Sequence, residues 1–228
     1  AKTFDIDEMF EEGYEAVFIG SGAGLPMFMG IEGETLAGVY SANEFLTRIN
    51  LMKAYREGYD TPLKISGSAA IIGGGPTGIA AAYFLGRAGV ETTIFEREQC
   101  LGGVPRHVIP AFRITNEAIQ KDIALMEKYG VEVRCGAPAP SVAELKAMGY
   151  THILYAVGAW KPGQLGIPGD VAGAIQWMKG VKAGNISVGG NVAVVGAGNT
   201  AMDAARLAKR SGAQHVTIVY RRTRKDMP

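Results

Sequence analysis

Short apolar runs alternate along this chain with segments whose apolar residues recur every three or four positions. Ser68–Ile72 predicts a buried strand, Pro76–Ala88 a helix and Glu91–Phe95 the next strand. Thr115–Tyr129 carries Ile119, Ile123 and Met126 at helical spacing and stops before Gly130, after which Val131–Arg134 predicts a short strand. Ser141 and Glu144 have capping-box spacing, so a helix is expected to Met148, followed by a strand at Thr151–Ala156. The pattern then restarts with strand Asn191–Val195, helix Thr200–Ser211 and strand His215–Tyr220. Repeated strand–helix–strand units predict an α/β fold in which parallel sheets are covered by helices on both faces. Residues 182–190 read as a linker between two such units.

Part of the pattern is duplicated. Asp5–Gly33 aligns without gaps on Ser141–Gly169, with Glu8, Gly13, Tyr14, Gly22, Ala23, Pro26, Gly30, Ile31 and Gly33 matching Glu144, Gly149, Tyr150, Gly158, Ala159, Pro162, Gly166, Ile167 and Gly169. Each copy predicts a capped helix, a Gly-Tyr turn, an apolar strand and a Gly-Ile-x-Gly loop. A further box at Ser41–Glu44 predicts a helix running to about Tyr55. The two copies are expected to compete for one strand position.

Both units open on a glycine fingerprint. Gly73, Gly75 and Gly78 follow a strand and, with Pro76, open a helix. In such a G-x-G-x-x-G loop the first glycine makes the turn and the second admits a pyrophosphate to the backbone. The third lets helix and strand pack closely, with the phosphates at the positive helix end. Glu96 ends the following strand, where a carboxylate accepts hydrogen bonds from an adenosine ribose. The alternative is a structural turn with a solvated glutamate.

The second fingerprint is Gly196, Gly198 and Ala201, with Asn199 and Thr200 inside it. Its following strand ends in Tyr220-Arg221-Arg222. A guanidinium there grips a 2′-phosphate that an acid would repel, so NADP(H) is favoured over NAD(H), the alternative being a solvated basic segment. Asp203, on the helix after this loop, either reaches the ligand or solvates the helix. Gly102-Gly103 offer another close backbone approach, and Ile109–Arg113 reads as a rigid loop with one cation.

Bulk composition narrows the classes. The 228 residues, 47% hydrophobic and 20% charged, suit a globular chain with a real core. A net charge of +1 gives no argument for nucleic acid or membrane partners, and no apolar run approaches the length of a membrane span. Cys100 and Cys135 lie in no C-x-x-C arrangement, which argues against a zinc site, an iron–sulfur cluster held by this chain or a redox disulfide of that type. These features point to no metal ligand and to a cytoplasmic setting. His107, His152 and His215 are scattered and no catalytic residue stands out. That counts little against a redox enzyme, because hydride can pass directly between two cofactors once they are stacked.

These motifs, together with Ile109-Pro110-x-Phe112-Arg113, Gly196–Asp203 and the Val219–Pro228 ending, resemble the NADPH-oxidising small subunit of glutamate synthase and related FAD flavoproteins, including the selenate reductase-like branch. The resemblance implies a glutathione-reductase-like pair of FAD- and NAD(P)-binding units, the second incomplete. It implies hydride transfer from NADPH to FAD and onward to an iron–sulfur or glutamate-synthase-like partner subunit or domain. By analogy Gly73, Gly75, Gly78, Glu96, Gly103 and Arg113 contact FAD, and Gly198, Asn199, Thr200, Arg221 and Arg222 contact NADPH. Pro76, Arg97, Gly102, Gly158, Gly196 and Asp203 complete the expected cofactor-binding residues.

Several features depart from the family. Ala156-Val157-Gly158 replaces its usual Ala-Thr-Gly, and Val108 replaces a frequent glycine. Residues 1–63 resemble the segment that normally precedes the NADP fingerprint, residues 64–182 an incomplete FAD-binding domain and residues 183–228 the first half of an NADP domain. The expectation is a rearranged or truncated chain joining pieces of two such flavoproteins near Leu63–Lys64. The alternative function is a nucleotide-binding module without turnover.

Overall fold

In the computed structural model of this protein, Glu11 and residues 30–54, 56, 58–59, 67–160 and 171–227 are described. Five strands form one parallel sheet in the order β1-β5-β2-β3-β4: β1 (Val39–Ser41), β2 (Ser68–Ile72), β3 (Glu91–Glu96), β4 (Glu132–Cys135) and β5 (His152–Tyr155). A second parallel sheet pairs β6 (Asn191–Val195) with β7 (His215–Val219). The helices are α1 (Ala42–Asn50), α2 (Pro76–Arg87), α3 (Gly103–His107), α4 (Asn116–Glu127), α5 (Val142–Ala147), α6 (Ala174–Lys182) and α7 (Asn199–Arg210). A short 3-10 turn spans Arg224–Asp226.

Strand alternation distributes the core. Ala69 and Ile71 of β2 point to one face, where Phe45 and Ile49 of α1, Leu85 of α2 and Ile123 and Met126 of α4 cover them. Ala70 and Ile72 point to the other, against Val142 and Leu145 of α5, with Phe95 and Ile153. Both faces are buried, as a parallel sheet requires. In register, Ile72 lies beside Phe95 on one side and Tyr155 on the other, so β2, β3 and β5 end at one rim. The expected strands and helices fall within a residue or two of the observed ones, and the Ser141–Glu144 capping box is formed in both directions.

Some elements depart from the sequence pattern. The helix after Ser41 stops at Asn50 rather than near Tyr55: Leu51 and Met52 are exposed and Lys53 has φ +52°, outside any right-handed helix. Helices α3 and α6 have no counterpart among the expected elements. The strand of the first repeat copy lies outside the described residues, and so do the first copy's Gly22, Ala23 and Pro26. The segment just after that copy forms β1, in which Val39, Tyr40 and Ser41 pair with Ile153, Leu154 and Tyr155. This places β1 at the sheet edge, beside the second copy's own strand.

Helix α1 holds this edge. Ser41 caps it by accepting the Glu44 N–H at 3.2 Å, and Arg48 pairs with Glu44 one turn back at 2.7 Å. Its buried stripe is Ala42, Phe45 and Ile49. Phe45 is 2% exposed, so Phe45→Ala is expected to destabilise the sheet by about 3–5 kcal/mol in denaturant unfolding. A loss near zero would mean that residues 39–50 do not pack on it.

Candidate functional site

The loop from Gly73 to Gly78 sits on the rim where β2, β3 and β5 end. Gly73 donates to the Phe95 carbonyl at 2.8 Å, and Ala156 donates to Ile72 at 2.7 Å, so the turn is pinned to both neighbouring strands. Two of its glycines are required by the protein itself. Gly73 has φ +107°, and a Cβ there would strike the Ala156 carbonyl; a Cβ on Gly78 would strike the Gly73 carbonyl. Gly75 differs, because a Cβ there would meet only Gly103 Cα, at an ordinary 3.8 Å. Nothing among the described residues demands a glycine at that position.

Gly75 is also the N-cap of α2, and it offers no side chain to the helix's first N–H groups. Pro76 takes the first helical position, where its missing N–H costs nothing. Gly102 donates to the Gly74 carbonyl at 2.7 Å, and a Cβ on Gly103 would come 2.7 Å from Gly75 Cα. The two glycine segments therefore lie backbone to backbone. Glu96, 6% exposed, ties the floor of the site together: one carboxylate oxygen accepts from Gly74 N–H at 2.6 Å and the other from Glu98 N–H at 2.9 Å. Each oxygen keeps a further lone pair for a donor such as a ribose hydroxyl.

The second loop repeats the plan. Gly196 N–H donates to Val219 O at 2.8 Å, pinning the turn to β7. A Cβ on Gly196 would rest 3.6 Å from Ala201 Cβ, so alanine at the third position sets α7 a little farther from its strand. Gly198, the N-cap of α7, again offers no side-chain cap, and a Cβ there would meet nothing within 4 Å. Asn199 and Thr200 form the first turn of α7. Arg221 and Arg222 come after the end of β7, exposed and in no ion pair among the described residues.

The second unit meets the first, together with the connecting helix α6 that precedes the 182–190 segment, across a small, mixed interface. Val108 and Met178 are buried with Ala204, and Trp160 and Leu207 pack around them. Polar contacts surround this cluster. Lys179 binds Glu98 at 2.6 Å, Lys182 donates to the Ile109 carbonyl at 2.6 Å, and Arg113 pairs with Asp203 at 2.6 Å. Arg210 lies over the Phe112 ring at 4.5 Å, and Arg97 over Trp160 at 4.8 Å. Gly158, at the end of the β5 segment, faces the Trp160 indole.

The sequence motifs predict Gly73, Gly75, Pro76, Gly78, Glu96, Gly102 and Gly103 at one site, and the structure gathers them on one rim. The family resemblance places Arg113 at FAD and the sequence leaves Asp203 either at the ligand or solvating its helix; the structure pairs the two with each other. Absent from the sequence expectations is α6, whose Ile175, Met178, Lys179 and Lys182 share one face at helical spacing, with Trp160 beside it. That spacing is the available signal, obscured by Gly180 and the shortness of the helix. No group of three or more His, Cys, Asp or Glu among the described residues can hold a metal ion, and no described helix is long and apolar enough to cross a membrane.

A parallel sheet with a buried carboxylate on the strand after its glycine loop, joined to a second unit with its own glycine loop, defines a paired dinucleotide-binding protein. Residues 67–225 match the model of the pyridine nucleotide-disulphide oxidoreductase family, and the chain belongs to that family of FAD- and NAD(P)-dependent oxidoreductases. It is 44% identical over 165 residues to the YgfK protein of Escherichia coli K12, covering 70% of this chain and 16% of that one. It is 36% identical over 173 residues to the NADPH-Fe(3+) oxidoreductase subunit beta of Geobacter sulfurreducens, covering 70% and 25%. A candidate glutamate synthase [NADPH] small chain of Cereibacter sphaeroides is 34% identical over 179 residues, covering 72% and 43%. The chain thus spans less than half the length of these relatives. Among solved structures, FprA of Mycobacterium tuberculosis shares the fold, with a TM-score of 0.56 at 24% identity over 68% of this chain and 43% of that one.

The interface carries its own pH signature. The hydrogen bond from Lys179 holds the Glu98 carboxyl below its ordinary value of 4.5, aided by the charges of Lys179, His107 and Arg97 and opposed by burial. A depressed carboxyl contributes stability that is fully present above the ordinary pKa and is lost as pH falls through the depressed one. Fluorescence of the two tryptophans, Trp160 and Trp177, followed from about pH 6 down to about pH 3, is expected to show α6 loosening below 4.5. Glu98→Gln should remove that transition, and an unchanged one would assign it elsewhere.

Proposed function

We propose that this chain is an NADPH-dependent flavin oxidoreductase module, with FAD at the Gly73–Gly78 loop and NADP(H) at the Gly196–Ala201 loop. The observation that carries the reading is the bareness of Gly75 and Gly198. Both are middle glycines of a fingerprint, both cap a helix, and the protein itself leaves room for a side chain at each. A ligand backbone approaching those N–H groups accounts for glycine where packing does not.

The chain's own residues divide the work of holding the ligands. The uncapped N-termini of α2 and α7 face the two pyrophosphates with unpaired N–H groups and the positive end of the helix. Glu96 accepts the ribose hydroxyls of FAD, while Arg97, Gly102, Gly103, Arg113 and Gly158 border that ligand. Asn199 and Thr200 border NADPH, and Arg221 and Arg222 receive its 2′-phosphate through charge-assisted hydrogen bonds. When bound, NADPH supplies a hydride and FAD accepts it, so the two electrons leave the pyridine nucleotide together and no side chain need move a proton. A partner subunit then takes the electrons. Support for a partner comes from relatives that are themselves subunits, such as the NADPH-Fe(3+) oxidoreductase subunit beta. Both cysteines are free thiols, consistent with a reducing cytoplasm.

Two measurements test this. Titration of the purified chain with FAD and with NADPH is expected to show one site for each. A chain that takes NADPH but no flavin would be a binding module without turnover. The double variant Arg221→Glu, Arg222→Glu is expected to lose at least about tenfold of its preference for NADPH over NADH, corresponding to about 1.4 kcal/mol. An unchanged preference would contradict the 2′-phosphate role.

A further inference from the structure

Arg113 and Asp203 lie 90 residues apart in sequence, in different nucleotide units, and meet Nε to Oδ1 at 2.6 Å. The Asp203 side chain is only 13% exposed, whereas Arg113 is 41% exposed. Each end of the pair belongs to a stiff piece of chain. Asp203 stands in the second turn of α7, and Met202 N–H bonds back to Gly198 O at 3.0 Å, so the carboxylate moves with the fingerprint turn. Arg113 closes a turn through its own N–H to Pro110 O at 2.9 Å, and Lys182 and Arg210 grip that turn at Ile109 and Phe112.

The contact is side-on. It uses the single Nε–H of the guanidinium, and the remaining four N–H groups have no protein partner among the described residues. Asp203 therefore anchors the guanidinium at Nε without occupying its outer edge.

We infer that Asp203 is a positioning residue that acts through Arg113, and that the pair transmits occupancy of the Gly196–Ala201 loop to the 109–113 loop of the first unit. A nucleotide that orders the start of α7 orders Asp203, and Asp203 orders Arg113. The coupling is reciprocal, as any linkage between two sites must be. Its nucleotide arm rests on the two-site reading proposed above, whereas its structural arm stands without any ligand.

Hydrogen exchange on the full chain separates these arms. Asp203→Asn keeps the size of the side chain while removing its charge, and Arg113→Gln removes the charge while keeping an N–H donor near the position of Nε. Each is expected to speed exchange both at 109–114 and in the first turns of α7, by about threefold, as suits a partly exposed pair. The double variant should do no more than either single one. Effects confined to the mutated segment, or effects that add, would overturn the inference.

In the second arm NADP+ alone is added. Slower exchange at 109–114 in the wild type but not in Asp203→Asn, with residues 196–203 protected in both, is the expected result. Protection confined to 196–203 in the wild type would overturn the transmission. NADP+ that protects neither segment would instead overturn the nucleotide assignment and with it the transmission, while the first arm would still decide whether Asp203 positions Arg113. Asp203→Glu, which retains the charge, is expected to restore the wild-type pattern.

Discussion

Helix α2 lies so close to β2 that no side chain fits between Gly78 and the Gly73 carbonyl. The rest of the first unit depends on that approach. It brings the uncapped start of α2 over the rim where β2, β3 and β5 end, and it leaves room for the Gly102-Gly103 segment to lie backbone to backbone against Gly75. Glu96 then closes the arrangement from below by holding Gly74 and Glu98 with its two oxygens. A carboxylate that is 6% exposed is costly to bury without partners, so these bonds are as necessary to the fold as the apolar core beside them. The second unit, with Ala201 where the first has Gly78, has a looser version of the same approach.

The join between the units obeys different physics. Its apolar cluster is small, with Val108, Met178 and Ala204 at the centre; Arg113 on Asp203 and Arg210 on the Phe112 ring cross it, while Lys179 on Glu98 and Lys182 on a carbonyl tie α6 to the first unit beside it. Interfaces of this kind hold two bodies in register without welding them, and relative motion is the usual consequence.

Strands and helices of both units are legible from apolar periodicity, because βαβ units write their core directly into spacing. Legible too are the fingerprint glycines and Glu96, whose roles depend on local turns. The features hidden from the sequence are long-range. Nothing in the spacing of Arg113 and Asp203 announces that they pair, since each lies in a motif with its own local reading. Helix α6 is obscured because its face mixes Ile175 and Met178 with two lysines whose partners, Glu98 and Ile109, lie far back in the chain. The duplicated segment emerges from alignment, yet the place of β1 beside β5 comes from edge pairing that no one-dimensional pattern specifies.

The proposed electron passage between the two loops can be tested in a single experiment. The chain is loaded with FAD, freed of oxygen and mixed rapidly with one equivalent of NADPH while the flavin band near about 450 nm is followed. Bleaching of that band, with oxidation of the nucleotide in equal amount, is the predicted result. A band that persists while both nucleotides are demonstrably bound would contradict transfer between the two sites.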